Sequence, residues 1–299
     1  MDEVPPSMHD PVVQKGTAVE RRWITVIAIA GALSGRVDRV GAQSARDAVQ
    51  RCHAYEGAQS DNPDRAIAGC TAVIESSGFT MAERLDALAT RGALFRKTGR
   101  FDLAIVDLTE VLRKRAGADD VHVERGMAFV ATRELDSAMT DFDDAIRLNP
   151  DNATARRQRA VAYRQAQRYD EAIRDLDRAV ALNPRDPWAV SERGLDHFSK
   201  REYDLAIGDF DRALALTPTS AWTTAYRGAA YLQSGRTDKA LVDLTRALEL
   251  DEGDAWALYA RALAKRKSGD AGGADADMAT ATRLWPDVAL ELAKEGLRP

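Results

Sequence analysis

A small residue returns every 34 positions along most of this chain, and an arginine precedes it each time. Gly92, Gly126, Ala160, Gly194, Gly228 and Ala262 follow Arg91, Arg125, Arg159, Arg193, Arg227 and Arg261. Internal repetition restricts the fold more tightly than composition does. Aligned on the small residue, six units follow one another without a gap: 85–118, 119–152, 153–186, 187–220, 221–254 and 255–288. Position 20 is alanine in all six (Ala104, Ala138, Ala172, Ala206, Ala240, Ala274). Position 24 is large and apolar (Leu108, Phe142, Leu176, Phe210, Leu244, Met278), and position 27 runs from Val111 through Ala145, Ala179, Ala213 and Ala247 to Ala281. Apolar positions 20, 21, 24, 27 and 28 follow a helical period. Pro150, Pro184, Pro218 and Pro286 at position 32 mark breaks, since proline cannot sit in a helix interior. The small residues at 8 and 20 let two helix axes approach closely. The expected unit is therefore a pair of antiparallel helices of about a dozen residues each. With aromatics at 6% of the chain, the composition agrees with an all-α fold.

The pattern of Gly/Ala at 8, Ala at 20, Phe/Leu at 24, Ala at 27 and Pro at 32, clearest in PWAVSERGLDHFSKREYDLAIGDFDRALALTPTS, resembles the tetratricopeptide repeat. The resemblance implies a right-handed superhelical solenoid of helix hairpins. Six repeats then occupy 85–288, and residues 43–84 form an atypical N-terminal hairpin. There NPDRAIAGCTAVI copies the second-helix pattern, with Ala66 and Cys70 in phase. The opening, with Cys52 ahead of PDRAIAGC, also resembles exported bacterial tetratricopeptide proteins. Residues 289–299 are expected as a C-terminal capping helix, because a solenoid must cover its last core face. The last unit departs from the pattern: Lys265 replaces an aromatic or histidine, and Ala271, Gly272 and Gly273 open its second helix. It is expected to be the least stable repeat.

Residues 1–20 hold three prolines and little periodicity, which reads as a disordered leader. Then RRWITVIAIAGALSG places two arginines before a short apolar run, too short to span a bilayer comfortably but suited to a secretory signal. Small residues at Val40-Gly41-Ala42 place cleavage after Ala42, making 1–42 leader plus signal and the mature chain free of a stable membrane span. The competing reading is an N-terminal core helix or an uncleaved anchor. The two cysteines, Cys52 and Cys70, are either a disulfide, favoured by export, or two buried thiols.

Net charge is −5 with signs interspersed, which argues against a nucleic-acid partner. The four histidines and two cysteines lack metal-ligand spacing, and no nucleophile elbow, P-loop or H-E-x-x-H is present, so no metal, cofactor or catalytic residue is expected. The resemblance implies that first-helix positions 2, 5, 9, 12 and 13 line a concave groove for a protein or peptide partner. Those positions include Arg157, Arg164, Trp188, Phe198, Trp222, Leu232, Trp256, Tyr259 and Arg266. Tryptophan and arginine are frequent binding hot spots. The expected partner segment carries apolar and acidic side chains. Alternatively, each tryptophan covers the preceding inter-repeat loop and seals the stack.

The arginine at position 7 stands where the family usually has an apolar residue. Aspartate keeps step with it at position 23: Asp107, Asp141, Asp175, Asp209, Asp243 and Asp277. The expectation is an Arg–Asp ladder in which Arg193 meets either Asp209 of its own unit or Asp175 of the unit before. Function then divides between an exported scaffold that positions envelope proteins and a cytosolic regulatory adaptor. A module that regulates an enzyme in trans, or binds a small ligand or glycan, is a further alternative.

Overall fold

The computed structural model describes residues 39–53, 62–294 and 297. The expected leader and the apolar run of the signal lie outside them. The chain divides into two units, Met1–Asp47 and Ala48–Pro299. Among the described residues every regular element is an α-helix. In order these are α1 (Arg39–His53), α2 (Pro63–Glu75), α3 (Met81–Lys97), α4 (Phe101–Lys114), α5 (Asp119–Ala131), α6 (Leu135–Leu148), α7 (Ala153–Gln165) and α8 (Tyr169–Leu182). They continue as α9 (Pro187–Ser199), α10 (Tyr203–Leu216), α11 (Ala221–Gln233), α12 (Thr237–Leu250), α13 (Ala255–Ser268), α14 (Ala271–Leu284) and α15 (Val288–Lys294).

From α3 to α14, consecutive helices pair as hairpins, and each hairpin packs on the next. The first helices, α3, α5, α7, α9, α11 and α13, also contact one another in a row. The larger unit is an all-α solenoid.

Local chemistry explains where these helices start and stop. Asn152, Asp186, Ser220 and Asp254 close their repeats and cap the next first helix, accepting backbone N–H bonds from Ala155, Trp188, Thr223 and Ala257. The second helices lack a side-chain cap from α4 to α12, but Asp102, Asp136, Asp170, Asp204 and Asp238 sit in their first turns, where the helix dipole favours negative charge. The turn inside each hairpin passes through a left-handed residue: Gly99, Arg133, Gln167, Arg201, Gly235 or Gly269.

The small residues do what their period requires. All six position-20 alanines are fully buried. At Gly194 a β-carbon would lie 2.9 Å from the Phe210 ring, so the close approach of α9 and α10 leaves no room for one. Leu108, Phe142, Leu176, Phe210 and Leu244 are fully buried along the same line.

The ends show more than the repeat alone announces. Cys52 and Cys70 form a disulfide between α1 and α2, at 1% and 0% exposure. Closing that loop contributes roughly 3 kcal/mol in the chain-entropy model. Beside it, a β-carbon on Gly69 would lie 2.7 Å from the Cys52 backbone nitrogen. The expected cleavage point after Ala42 falls inside α1. The first helix of repeat one begins at Met81, before the unit boundary at 85, because Thr80 and Glu83 make a reciprocal capping box. At the other end α15 packs against α13 and α14, with Val288, Leu292 and Leu297 fully buried. The glycines of the last repeat are held in α14, whose cap Asp270 accepts the Gly273 N–H at 2.9 Å.

Candidate partner-binding surface

Every position-7 arginine lies beside the aspartate 16 residues on in its own hairpin. In all six pairs Nε and Nη2 of the guanidinium donate to the two carboxylate oxygens, at 2.5–2.9 Å. This is the bidentate fork expected for arginine and carboxylate. The aspartates are buried, and the arginine side chains stay 17–23% exposed. Their stems pack between helices while one edge of the guanidinium faces outward.

That outward edge joins neighbouring units. Nη1 of Arg159, Arg193 and Arg227 donates to Asp143, Asp177 and Asp211 of the preceding repeat, at 2.5, 2.7 and 2.8 Å. Arg125 reaches Thr109 and Arg91 reaches Thr71 in the same way. Of the two partners expected for Arg193, the fork takes Asp209 of its own hairpin and not Asp175. Its free nitrogen holds Asp177, two residues beyond Asp175. At Asp141, burial favours protonation, but hydrogen bonds from Arg125 and His122 outweigh it and hold the carboxyl below its ordinary value. His122 Nδ1 lies 2.8 Å from Asp141 Oδ1.

The residues expected to line a groove lie on the row of first helices, and many already contact one another. Position 12 of one repeat meets position 6 of the next, 28 residues on. Arg96 donates to Glu124 at 2.7 Å, Arg164 pairs with Glu192, and Phe198 meets Tyr226 edge-on at 5.9 Å. One contact is thus filled by an ion pair in some seams and by an aromatic pair in another. Arg157 lies 3.9 Å from Asp186, and Arg266 pairs with Asp275 at 2.6 Å. The basic residues of this face therefore have carboxylates beside them within the chain.

The aromatic residues form a continuous column. Trp222 meets Phe210 of the preceding second helix edge-on, and its ring centre lies 4.7 Å from that of Tyr226. Tyr226 lies 4.4 Å from Trp256. Trp256 and Tyr259 are buried, as are Phe198 and Leu232, whereas Trp188 and Trp222 are half-buried. Trp222 and Trp256 thus bridge to the repeat before them, through Phe210 and Tyr226.

Asp196 belongs to none of the recurring positions that the repeat pattern singles out. Position 10 is otherwise Leu94, Ala128, Ala162, Ala230 and Ala264, each buried, and Asp196 is the charged exception at 0% exposure. That break in an otherwise apolar column was the signal. Arg164 Nε donates to Asp196 Oδ1 at 2.6 Å, while its Nη2 serves Glu192.

The sequence profile of the tetratricopeptide repeat matches in overlapping pairs of units, at 89–153, 123–187, 157–221 and 191–255. The chain belongs to the tetratricopeptide repeat family. Solved structures agree with the fold. A tetratricopeptide repeat protein from Parabacteroides merdae is similar with a TM-score of 0.66 at 18% identity, over 85% of this chain and all of that one. YrrB, described as a tetratricopeptide protein with an unusual peptide-binding site, is similar with a TM-score of 0.50 at 20% identity, over 64% of this chain and 98% of that one. The MamA protein has a TM-score of 0.50 at 26% identity, over 58% of this chain and 96% of that one. No curated protein matches the chain. Among the described residues no cluster of side chains is suited to a metal ion, and no helix is long and apolar enough to cross a membrane.

Proposed function

We propose that this tetratricopeptide protein is a non-enzymatic scaffold that receives a peptide or helix of a partner protein along its row of first helices. The observation that carries the reading is the set of half-buried apolar and aromatic side chains on that row in the C-terminal half, Trp188, Leu195 and Trp222. Trp222 serves the stack through its contacts with Phe210 and Tyr226, and it and Trp188 are only half-buried, so part of each side chain lies at the surface. Because Arg157, Arg164 and Arg266 have internal carboxylates, apolar contact rather than charge supplies most of the affinity. YrrB supports the reading as a similarly folded protein with a peptide-binding site.

Site-specific photo-crosslinking tests it. A crosslinker in place of the half-buried Leu195 is expected to capture a discrete partner. The same group in place of Val242, exposed on the second helix α12, is expected to capture none. Capture from 242 and not from 195 would place the partner on the other face and sink the reading.

The scaffold is further proposed to work in the bacterial envelope. The arginine-then-apolar run at 21–35 supports this, as does a fully buried disulfide, which persists in oxidising compartments. Mass spectrometry of the natively produced protein decides. A mature N-terminus near Gln43 is expected, whereas an intact N-terminus with reduced Cys52 and Cys70 would assign the chain to the cytosol.

A further inference from the structure

Asp196 is buried in the seam between the third and fourth repeats, with one oxygen satisfied and one not. Arg164 on α7 reaches across to Oδ1, while Oδ2 is enclosed with no hydrogen-bonding partner among the described residues. The same guanidinium also serves Glu192, a buried neighbour one turn earlier on α9. Two carboxylates thus share one positive charge. The next titratable group beside Asp196 is His197, whose Nδ1 lies 2.7 Å from the carboxylate of Glu202, the residue that precedes α10. The facing side chains across the next seam are neutral: Ser191 of α9 lies 3.3 Å from Thr223 of α11. The first-helix side of this seam is correspondingly poor in apolar packing, because α7 buries only Ala155, Ala160 and Ala162.

We propose that the seam between repeats three and four is a proton-controlled joint, in which Asp196 binds a proton when α7 and α9 are closed on each other and releases it when they part. Protonation removes one of the two competing negative charges and leaves Arg164 matched to Glu192. An enclosed, unpartnered carboxylate oxygen is costly as an anion and much less so as part of a neutral acid.

The direction follows from linkage. Burial, with Glu192 adding to it and Arg164 opposing it, pushes the Asp196 carboxyl up to about 6. Once the seam opens, the carboxyl returns to the ordinary range near 3.9. The closed seam therefore binds the proton more tightly. Its advantage is greatest in acid, shrinks as pH rises from about 4 to about 6, and is constant above that. At neutral pH this joint opens more readily than in mild acid.

Amide hydrogen exchange on the full chain, corrected for the intrinsic pH dependence of exchange, tests this joint. Between pH 4.5 and 7.5, protection at the facing ends of α7 and α9 is expected to fall about tenfold or more. The fall should vanish in Asp196→Ala, which restores the residue that four other repeats carry and leaves Arg164 with one partner. Helices α3 and α13 serve as internal references. Protection that is independent of pH, or that falls equally in Asp196→Ala, would overturn the proposal. A carbon-13 titration of the Asp196 carboxyl in the wild-type chain gives a second reading that needs no variant. A midpoint near 6 is expected, and a midpoint below 4.5 would overturn the proposal.

Discussion

A position-7 arginine is asked to do three things with one guanidinium. Its stem fills space between two helices, its fork neutralises a buried aspartate, and in Arg91 through Arg227 its remaining nitrogen reaches the hairpin behind. A buried pair of this kind adds little net stability, because desolvation offsets attraction, but losing one partner leaves the other charge stranded. Arg193→Ala is therefore expected to destabilise the fold by about 3–5 kcal/mol, since it leaves Asp209 buried without its fork. Changing Arg193 and Asp209 together to leucine is expected to cost much less. Chemical denaturation of the two variants measures the difference, and equal losses would refute the rung as described. The existence of the ladder was legible in sequence, because two charges recurring in phase call for each other. The contact to Asp177 was not, because aspartate is common on the exposed face of these helices and its spacing alone does not separate a partner from a solvated charge.

The helices are short, and their turns decide much of their stability. Each hairpin turn needs one left-handed residue, and three of the six are glycine while Arg133, Gln167 and Arg201 are not. A side chain in that region costs roughly 1 kcal/mol or more. Gln167→Gly is expected to raise the melting temperature of the chain, since the side chain is exposed and its removal breaks no packing. Gly235→Ala is expected to lower it, by about 1 kcal/mol in free energy. Opposite signs for the two changes check the argument by thermal unfolding, and like signs would contradict it. Helix number and pairing were legible because period, caps and prolines agree with one another. The early start of α3 was missed because alignment to the repeat hides a capping box that lies outside it. Asp196 was missed for a related reason. Averaging six units highlights what they share, and this residue matters because it differs.

At the scale of the whole molecule, a solenoid has neighbours instead of a single centre. Among the described residues the apolar interior is accordingly divided into four buried clusters along the stack. The ends are closed in different ways, by a disulfide-linked hairpin at one and by α15 at the other. Deleting residues 288–299 would bare the surfaces of α13 and α14 that Val288, Leu292 and Leu297 cover. The truncated chain is expected to self-associate and to lose exchange protection first in α13 and α14, with α3 to α8 unchanged. Analytical ultracentrifugation and hydrogen exchange check this. A monomer with uniform loss of protection would instead mean that the chain unfolds as one body.

The contact between position 12 of one repeat and position 6 of the next bears on how the repeats are ordered. The Arg–Asp forks are the same in every unit, so they would accept any unit as a neighbour. The 28-residue contact would not, since Arg164 suits Glu192 and Phe198 suits Tyr226. Transplanting the fourth repeat behind the second would set Glu192 against Val130 and strand a buried carboxylate. The forks make the repeats interchangeable in kind, while this 28-residue contact writes an address into the seams that carry it and discourages a shuffled or slipped array.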